Sequence, residues 1–333
     1  MDESDWWSMP HIPLLTAVRW GISCALLGIL LIFVDLQEVY QVLRSADPLF
    51  LVFAVGISLG DRLLMAGKWL PLLRVQIPKA SLGKAIRAYF AAGFAGIFLP
   101  ASGDDLLRSI GLGQNRSAVM EVGASVVMER LLGLLGSGIV ALLVIWVAIQ
   151  ASIPISILLP WALACIGGSL MLAAVPFSAR IRHSLKSLLD HFRGRRWVDL
   201  IERFGEAYEA YREHRKMLFF VGLLSIMEQF APVLVFWAGA QALQLNLSFT
   251  SLFVAIPLTI FAARLPVSVA GIGIIEGGLV YLLGLFGVAS SQAVSLALLD
   301  RVVGLLTMLP GAFWWNDLAR TDREGWERVN TRK

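Results

Sequence analysis

Long apolar windows dominate the chain, at about 14–34, 49–73, 118–149, 157–175, 217–243 and 293–315. Each approaches or exceeds the roughly 20 residues that carry an α-helix across a ~30 Å hydrocarbon layer. The pattern predicts six spanning helices. Between them lie apolar runs that stop half-way: Ala88 to Leu99, Leu252 to Arg264 and Gly277 to Val288. One segment has a different rhythm. From Arg180 to Lys216, residues such as Leu185, Leu188, Leu189 and Phe192, then Trp197, Leu200, Ile201 and Phe204, recur at three and four, which predicts amphipathic helices.

Composition turns this pattern into a fold class. At 57% hydrophobic and 16% charged residues over 333 positions, with mean hydropathy +0.73, the chain has too little polar surface for a water-soluble domain. The expectation is an all-α, polytopic helical membrane protein forming a single membrane domain over 1–333. The first window lacks a small-residue cleavage site and is expected to stay attached. Cys24 and Cys165 fall in apolar windows and read as small fillers, not a disulfide framework. His11, His183, His191 and His214 lie outside the windows without metal-ligand spacing, so no metal and no cofactor is expected.

Charge sets the orientation. Lysines and arginines gather in cytoplasmic loops, which places Arg74 to Arg87, Arg180 to Lys216 and the tail inside. That leaves the turns near Pro48, Pro154 and Asn246 outside, and by parity both termini cytoplasmic. The middle segment, about 178–216, holds ten basic and six acidic residues over Arg180 to Lys216. It reads equally as a membrane-surface element or as a solvated connector.

Parity also requires Ala88 to Ser117 to enter the membrane and return, and Ser251 to Ser290 to do so from the other side. Two re-entrant hairpins of opposite sense result. The spacings agree: Asp61 to Pro100 is 39 positions and Glu228 to Pro266 is 38. The texts agree too. Leu99-Pro-Ala-Ser matches Leu265-Pro-Val-Ser, and Glu129-Arg-Leu-Leu-Gly-Leu-Leu matches Asp300-Arg-Val-Val-Gly-Leu-Leu. These matches predict an inverted repeat, repeat one over about 45–150 and repeat two over about 217–317, with 318–333 as a cytoplasmic tail. Inverted repeats with broken helices build many secondary transporters, and irregular backbone at membrane depth needs burial or a cavity.

Charged residues inside the apolar windows are the candidate chemistry, because a central Arg, Lys or Asp costs roughly 2.5–3.5 kcal/mol to insert. The candidates, in or near the windows, are Asp61, Arg62, Glu129, Arg130, Glu228, Arg264, Glu276, Asp300 and Arg301. Glu129-Arg130 and Asp300-Arg301 are open to two readings, structural ion pairs bracing the hairpins or arginines that grip an anionic head group. The planar guanidinium fork suits phosphate. Ser268, Gly271 and Gly273 precede Glu276 in Leu265-Pro-Val-Ser-Val-Ala-Gly-Ile-Gly-Ile-Ile-Glu-Gly-Gly278, where glycines permit a tightly turned backbone with amides facing a ligand. A dinucleotide fingerprint is excluded by the absence of a preceding strand. No nucleophile elbow or phosphate-binding loop is present, so no catalytic residues are assigned and the chain is not expected to be an enzyme.

These motifs resemble one family. Leu99-Pro-Ala-Ser-Gly-Asp-Asp-Leu-Leu-Arg108, Val127-Met-Glu-Arg-Leu-Leu-Gly133 and the Gly271-x-Gly-x-x-Glu-Gly277 element are similar to the lysylphosphatidylglycerol synthase transmembrane-region family, also described as flippase-like proteins. The resemblance covers nearly the whole chain. It implies a bacterial or archaeal cell (inner) membrane protein. It makes Asp105 and Arg108 the Gly-Asp-x-x-Arg element, with Asp104 where glycine is common, and Glu129 and Arg130 the acid-Arg element. Glu276 becomes the acidic residue of the third motif, with Ile275 where arginine is frequent. The function expected is movement of a phospholipid or lipid-linked head group between leaflets, with a membrane lipid or polyprenyl-linked molecule as partner and no nucleic acid. The alternative is a non-transporting membrane partner of a lipid- or glycan-modifying enzyme.

Overall fold

A computed structural model of the chain describes residues 34–97, 103–113, 116–151, 155–177, 209–264 and 271–314, with 21, 24, 25, 28, 153 and 268 individually. The first predicted span up to Phe33, apart from Gly21, Cys24, Ala25 and Gly28, lies outside the described residues. So do Pro100, Pro266, the amphipathic segment through Tyr208 and the tail from Trp315.

Helices account for all regular structure among the described residues: α1 Leu36–Arg44, α2 Pro48–Gln76, α3 Leu82–Gly96, α4 Gly103–Leu112, α5 Arg116–Gln150, α6 Ile155–Phe177, α7 Arg215–Glu228, α8 Phe230–Ala242, α9 Phe249–Arg264, α10 Ile274–Gly284 and α11 Ser290–Met308. Among the described residues, four stretches are long and apolar enough to cross a membrane: Pro48–Gln76, Ala118–Gln150, Arg215–Ala242 and Ser290–Trp314. The protein is an all-α polytopic membrane protein. The predicted spans at 49–73, 118–149, 217–243 and 293–315 fall on these stretches, and that at 157–175 on α6.

Several boundaries differ from the sequence reading, each for a local reason. The connection between the first two predicted spans, 35–48, contains α1. Asp35 caps it, accepting the Gln37 and Glu38 N–H groups at 2.8 and 3.2 Å, and Asp47 caps α2 through the Leu49 N–H at 2.8 Å, with Pro48 as the first helical residue. Lys84 and Arg87, expected in a loop, lie on α3, because Ser81 caps that helix through the Lys84 N–H. The span at 217–243 breaks between α7 and α8. Pro232 has no N–H for the Glu228 carbonyl four residues back, and the Gln229 N–H bonds Ile226 instead.

Packing follows the rules of helices in lipid, where small residues permit close approach. The α3 face is Ala85, Ala88, Ala91, Ala92 and Ala95 with Tyr89 and Phe90, all buried. A Cβ on Gly136 of α5 would sit 2.7 Å from the Ser225 carbonyl oxygen of α7, so those helices cross backbone to backbone. One core is built on α5, α6, α8, α9, α10 and α11 around Phe236, Leu252 and Leu279, with Cys165 buried in it as expected. A second, around Trp69, Leu72 and Met128, joins α2, α3 and α5 to Tyr211, whose hydroxyl donates to the Leu72 carbonyl at 2.9 Å.

The two short-helix pairs each pack against each other, α3 on α4 and α9 on α10. In the second pair Gly278 meets Thr259 and Gly271 meets Ala263, so the two run antiparallel. Contacts between the two parts of the chain are reciprocal: α5 meets α9 as α11 meets α3, and α5 meets α7 as α11 meets α2.

Candidate functional site: two carboxylate–arginine clusters

The first hairpin presents its acids at a helix start. Asp104 and Asp105 occupy the first turn of α4, where unpaired N–H groups favour carboxylates. Arg130 of α5 grips Asp105 as a fork, Nε on Oδ2 at 2.9 Å and Nη2 on Oδ1 at 3.0 Å, with Asp104 at 3.3 Å. Arg108, one turn further along α4, donates to Asp105 at 2.5 Å and to Glu129 at 2.8 Å. Its guanidinium lies 5.0 Å from the Trp69 ring centre and 4.9 Å from that of Tyr89, a cation–π sandwich that compensates burial.

Exposure separates the two arginines. The Arg108 side chain is 3% exposed and that of Arg130 is 45%. Arg130 is 14 positions into α5, roughly 21 Å from its start at 1.5 Å per residue. The Arg130 side chain is therefore partly exposed well inside a helix of spanning length.

The second hairpin repeats the plan with different parts. Gly271 and Gly273 have φ of +69° and +82°, a region that costs other residues strain, and α10 begins at Ile274. Glu276, its third residue, uses both oxygens: Oε2 accepts the Gly273 N–H at 2.8 Å and Oε1 accepts Arg301 Nε at 2.5 Å. Asp105 is likewise the third residue of α4. In both hairpins the arginine follows its carboxylate by 25 positions, on the next long helix.

A third cluster joins α2, α5, α7 and α9. The Lys68 ammonium, 2% exposed, pairs with Glu228 and donates to Ser225 at 3.2 Å. Arg264 lies 3.9 Å from the other Glu228 oxygen and donates to Ser137 at 2.6 Å, and the Ser137 hydroxyl lies 3.0 Å from Gln229 Oε1. The helix break at Gln229 thus sits inside a hydrogen-bonded network.

A family model described as the lysylphosphatidylglycerol synthase TM region matches residues 18–311. The chain belongs to this family. No curated protein and no solved structure matches it. The family match encloses both hairpins and the third cluster.

Within this family member, Asp105, Arg108, Glu129 and Arg130 are brought together on hairpin one, and Glu276 and Arg301 with Gly271 and Gly273 on hairpin two. Their direct ion pairs fall into two clusters, one per hairpin. Neighbours in sequence serve different partners, Glu129 going to Arg108 and Arg130 to Asp105, because consecutive helical side chains point apart. Glu228 and Arg264 form the third cluster. Asp61 and Arg62 stand on α2, where Asp61 Oδ1 and Arg62 Nε are buried without a hydrogen-bond partner among the described residues, as is the Ser268 hydroxyl before α10. Asp300 feels the charges of Arg62, Arg301 and Glu276. The sequence reading missed Lys68, Trp69, Tyr89, Ser137, Ser225 and Gln229. Only Lys68 carried a signal, a charge two helical turns after Asp61 in an apolar window.

Proposed function

We propose that this protein moves a phospholipid or lipid-linked head group between the leaflets of the cell (inner) membrane, with both termini cytoplasmic. Arg130 carries the reading. Arg108 is enclosed by its partners, whereas 45% of the Arg130 side chain is open along a helix of spanning length. To take a phosphate as a two-pronged donor, Arg130 would exchange the fork it now places on Asp105. Membership of a membrane family named for a lipid synthase supports a lipid-related role.

In this reading the short helix pairs are re-entrant. At 15 and 10 residues for α3 and α4, and 16 and 11 for α9 and α10, each is shorter than the layer. The reciprocal contacts and the shared 25-residue spacing support an inverted repeat, about 45–150 against about 217–317. Rocking of one repeat against the other would expose Arg130 and Arg301 to opposite leaflets in turn.

Purified protein reconstituted in liposomes with fluorescent phospholipids or polyprenyl phosphates tests this. Label should reach the opposite leaflet, faster than in protein-free vesicles. Label confined to one leaflet for every lipid, with and without a proton gradient, overturns the proposal in favour of a non-transporting partner of a lipid-modifying enzyme.

A further inference from the structure

The third cluster holds one acid that is paired, and beside it lies one that is not. Asp61 and Glu228 are each the fourteenth residue of a stretch of spanning length, Pro48–Gln76 and Arg215–Ala242, which places both half-way along. Glu228 takes the Lys68 ammonium and, more loosely, Arg264. Asp61 takes neither. It enters no ion pair among the described residues, and its Oδ1 is buried without a hydrogen-bond partner there. Arg62 is its neighbour in sequence, but consecutive helical side chains diverge, and Arg62 Nη1 turns to Met65 Sδ at 3.8 Å.

The charges that act most on Asp61 are Arg62 and Lys68 of its own helix, Glu228 of α7 and Arg264 of α9. The other elements packed on α2 bring it no counter-ion. Helix α8 has no ionisable side chain, and the turn at Ala210–Glu213 sits at the far end, on Leu72. Tyr89 of α3 and Asp300 of α11 act on Arg62. Glu129 and Arg130 of α5 are bound to Arg108 and Asp105, and Arg301 of α11 is bound to Glu276. Lys68 stands seven positions after Asp61, about two turns along the same face of α2, whereas seven positions after Glu228 stands the buried Val235. One lysine therefore stands between two acids. A carboxylate at membrane depth without a partner is neutralised by a proton instead.

We infer that Asp61 is a proton-binding site that couples leaflet exchange to a proton gradient, holding a proton while Lys68 is paired with Glu228 and releasing it when the two repeats part and Lys68 turns to Asp61. This rests on the translocation reading and names its coupling ion. An O–H bond forms at Asp61 from a hydronium ion on one side of the membrane and breaks to water on the other, so no further reactant is consumed. Arg264, 3.9 Å from Glu228 and 26% exposed, can close on that acid as Lys68 leaves. Neither carboxylate is then ionised without a cation in either state.

Infrared difference spectroscopy of the purified full chain tests the site itself, with isotope-labelled aspartate to assign the band. At a pH about two units above the aspartate value in water, the wild type should show the C=O stretch of a protonated aspartate. Asp61→Asn should lose that contribution, Asp61→Glu should replace it with a glutamic acid band, and Asp300→Asn should keep it. Glu228→Gln frees Lys68 for Asp61, so the band should vanish at a pH about one unit lower than in the wild type, a tenfold weaker hold on the proton. In liposomes, an imposed proton gradient should drive lipid exchange in one direction in the wild type and have no effect on exchange by Asp61→Asn. A wild type without the band overturns the inference, as does a band that survives in folded Asp61→Asn or titrates alike in folded Glu228→Gln. So does failure of both variants to fold, which makes these acids braces. A titrating Asp61 band without leaflet exchange of any lipid would sink translocation alone, and leaflet exchange without the band would sink the proton site alone.

Discussion

Hairpin one surrounds two arginines with three carboxylates, Asp104, Asp105 and Glu129, whereas hairpin two sets one carboxylate, Glu276, between an arginine and a backbone amide. The geometry they share is a carboxylate at the third helical position answered by an arginine 25 residues on. Their difference lies in what surrounds it. In hairpin one a second, enclosed arginine holds the acids in place, so Arg130 can stay open. In hairpin two a glycine turn precedes the helix, and the acid bridges its backbone amide and the arginine. The same pairing thus leaves its arginine partly open in one hairpin and encloses its carboxylate in the other.

The largest way to break this comparison is at Glu129. Replacing it with Gln leaves Arg108 buried with half its charge compensation gone, and breaking such a pair costs about 3–5 kcal/mol. Thermal unfolding of the detergent-solubilised variant should show that loss, while Glu276→Gln, whose arginine is partly exposed, should lose less. A smaller effect sharpens the contrast between the turns. Gly273→Ala places a Cβ at φ +82° and should cost about 1–2 kcal/mol, whereas Gly103→Ala, at the first residue of α4, should be close to neutral. The smallest concerns Asp104. It is 35% exposed and lies 3.3 Å from Arg130, so Asp104→Asn should change stability by less than about 1 kcal/mol. A loss as large as that from Glu129→Gln would mean that Arg130 is a brace after all.

Much of this was legible in the residues. The apolar windows marked the long helices because a helix satisfies all its backbone groups within one continuous segment in lipid. The charges marked the clusters because they are costly there unless paired. Pairing itself was not legible. Glu129 beside Arg130 reads as a couple in sequence, but the helical rotation sends one to Arg108 and the other to Asp105. Lys68 was lost in the apolar window around it, although it answers Glu228 across the two parts of the chain. Helix α1 was hidden because Leu36, Val39 and Leu43 are too few to show a period, and it is the Asp35 cap that defines it. The break at Gln229 was written in Pro232, whose effect falls four residues upstream.

The most direct measurement compares wild type, Arg130→Gln, Arg301→Gln and the double variant in the leaflet-exchange assay, with folding checked by thermal unfolding. Translocation through equivalent arginines predicts that each single variant slows exchange by about 100-fold, roughly 2.7 kcal/mol, and that the double variant is little worse than either. Folded single variants that move lipid at the wild-type rate would contradict it.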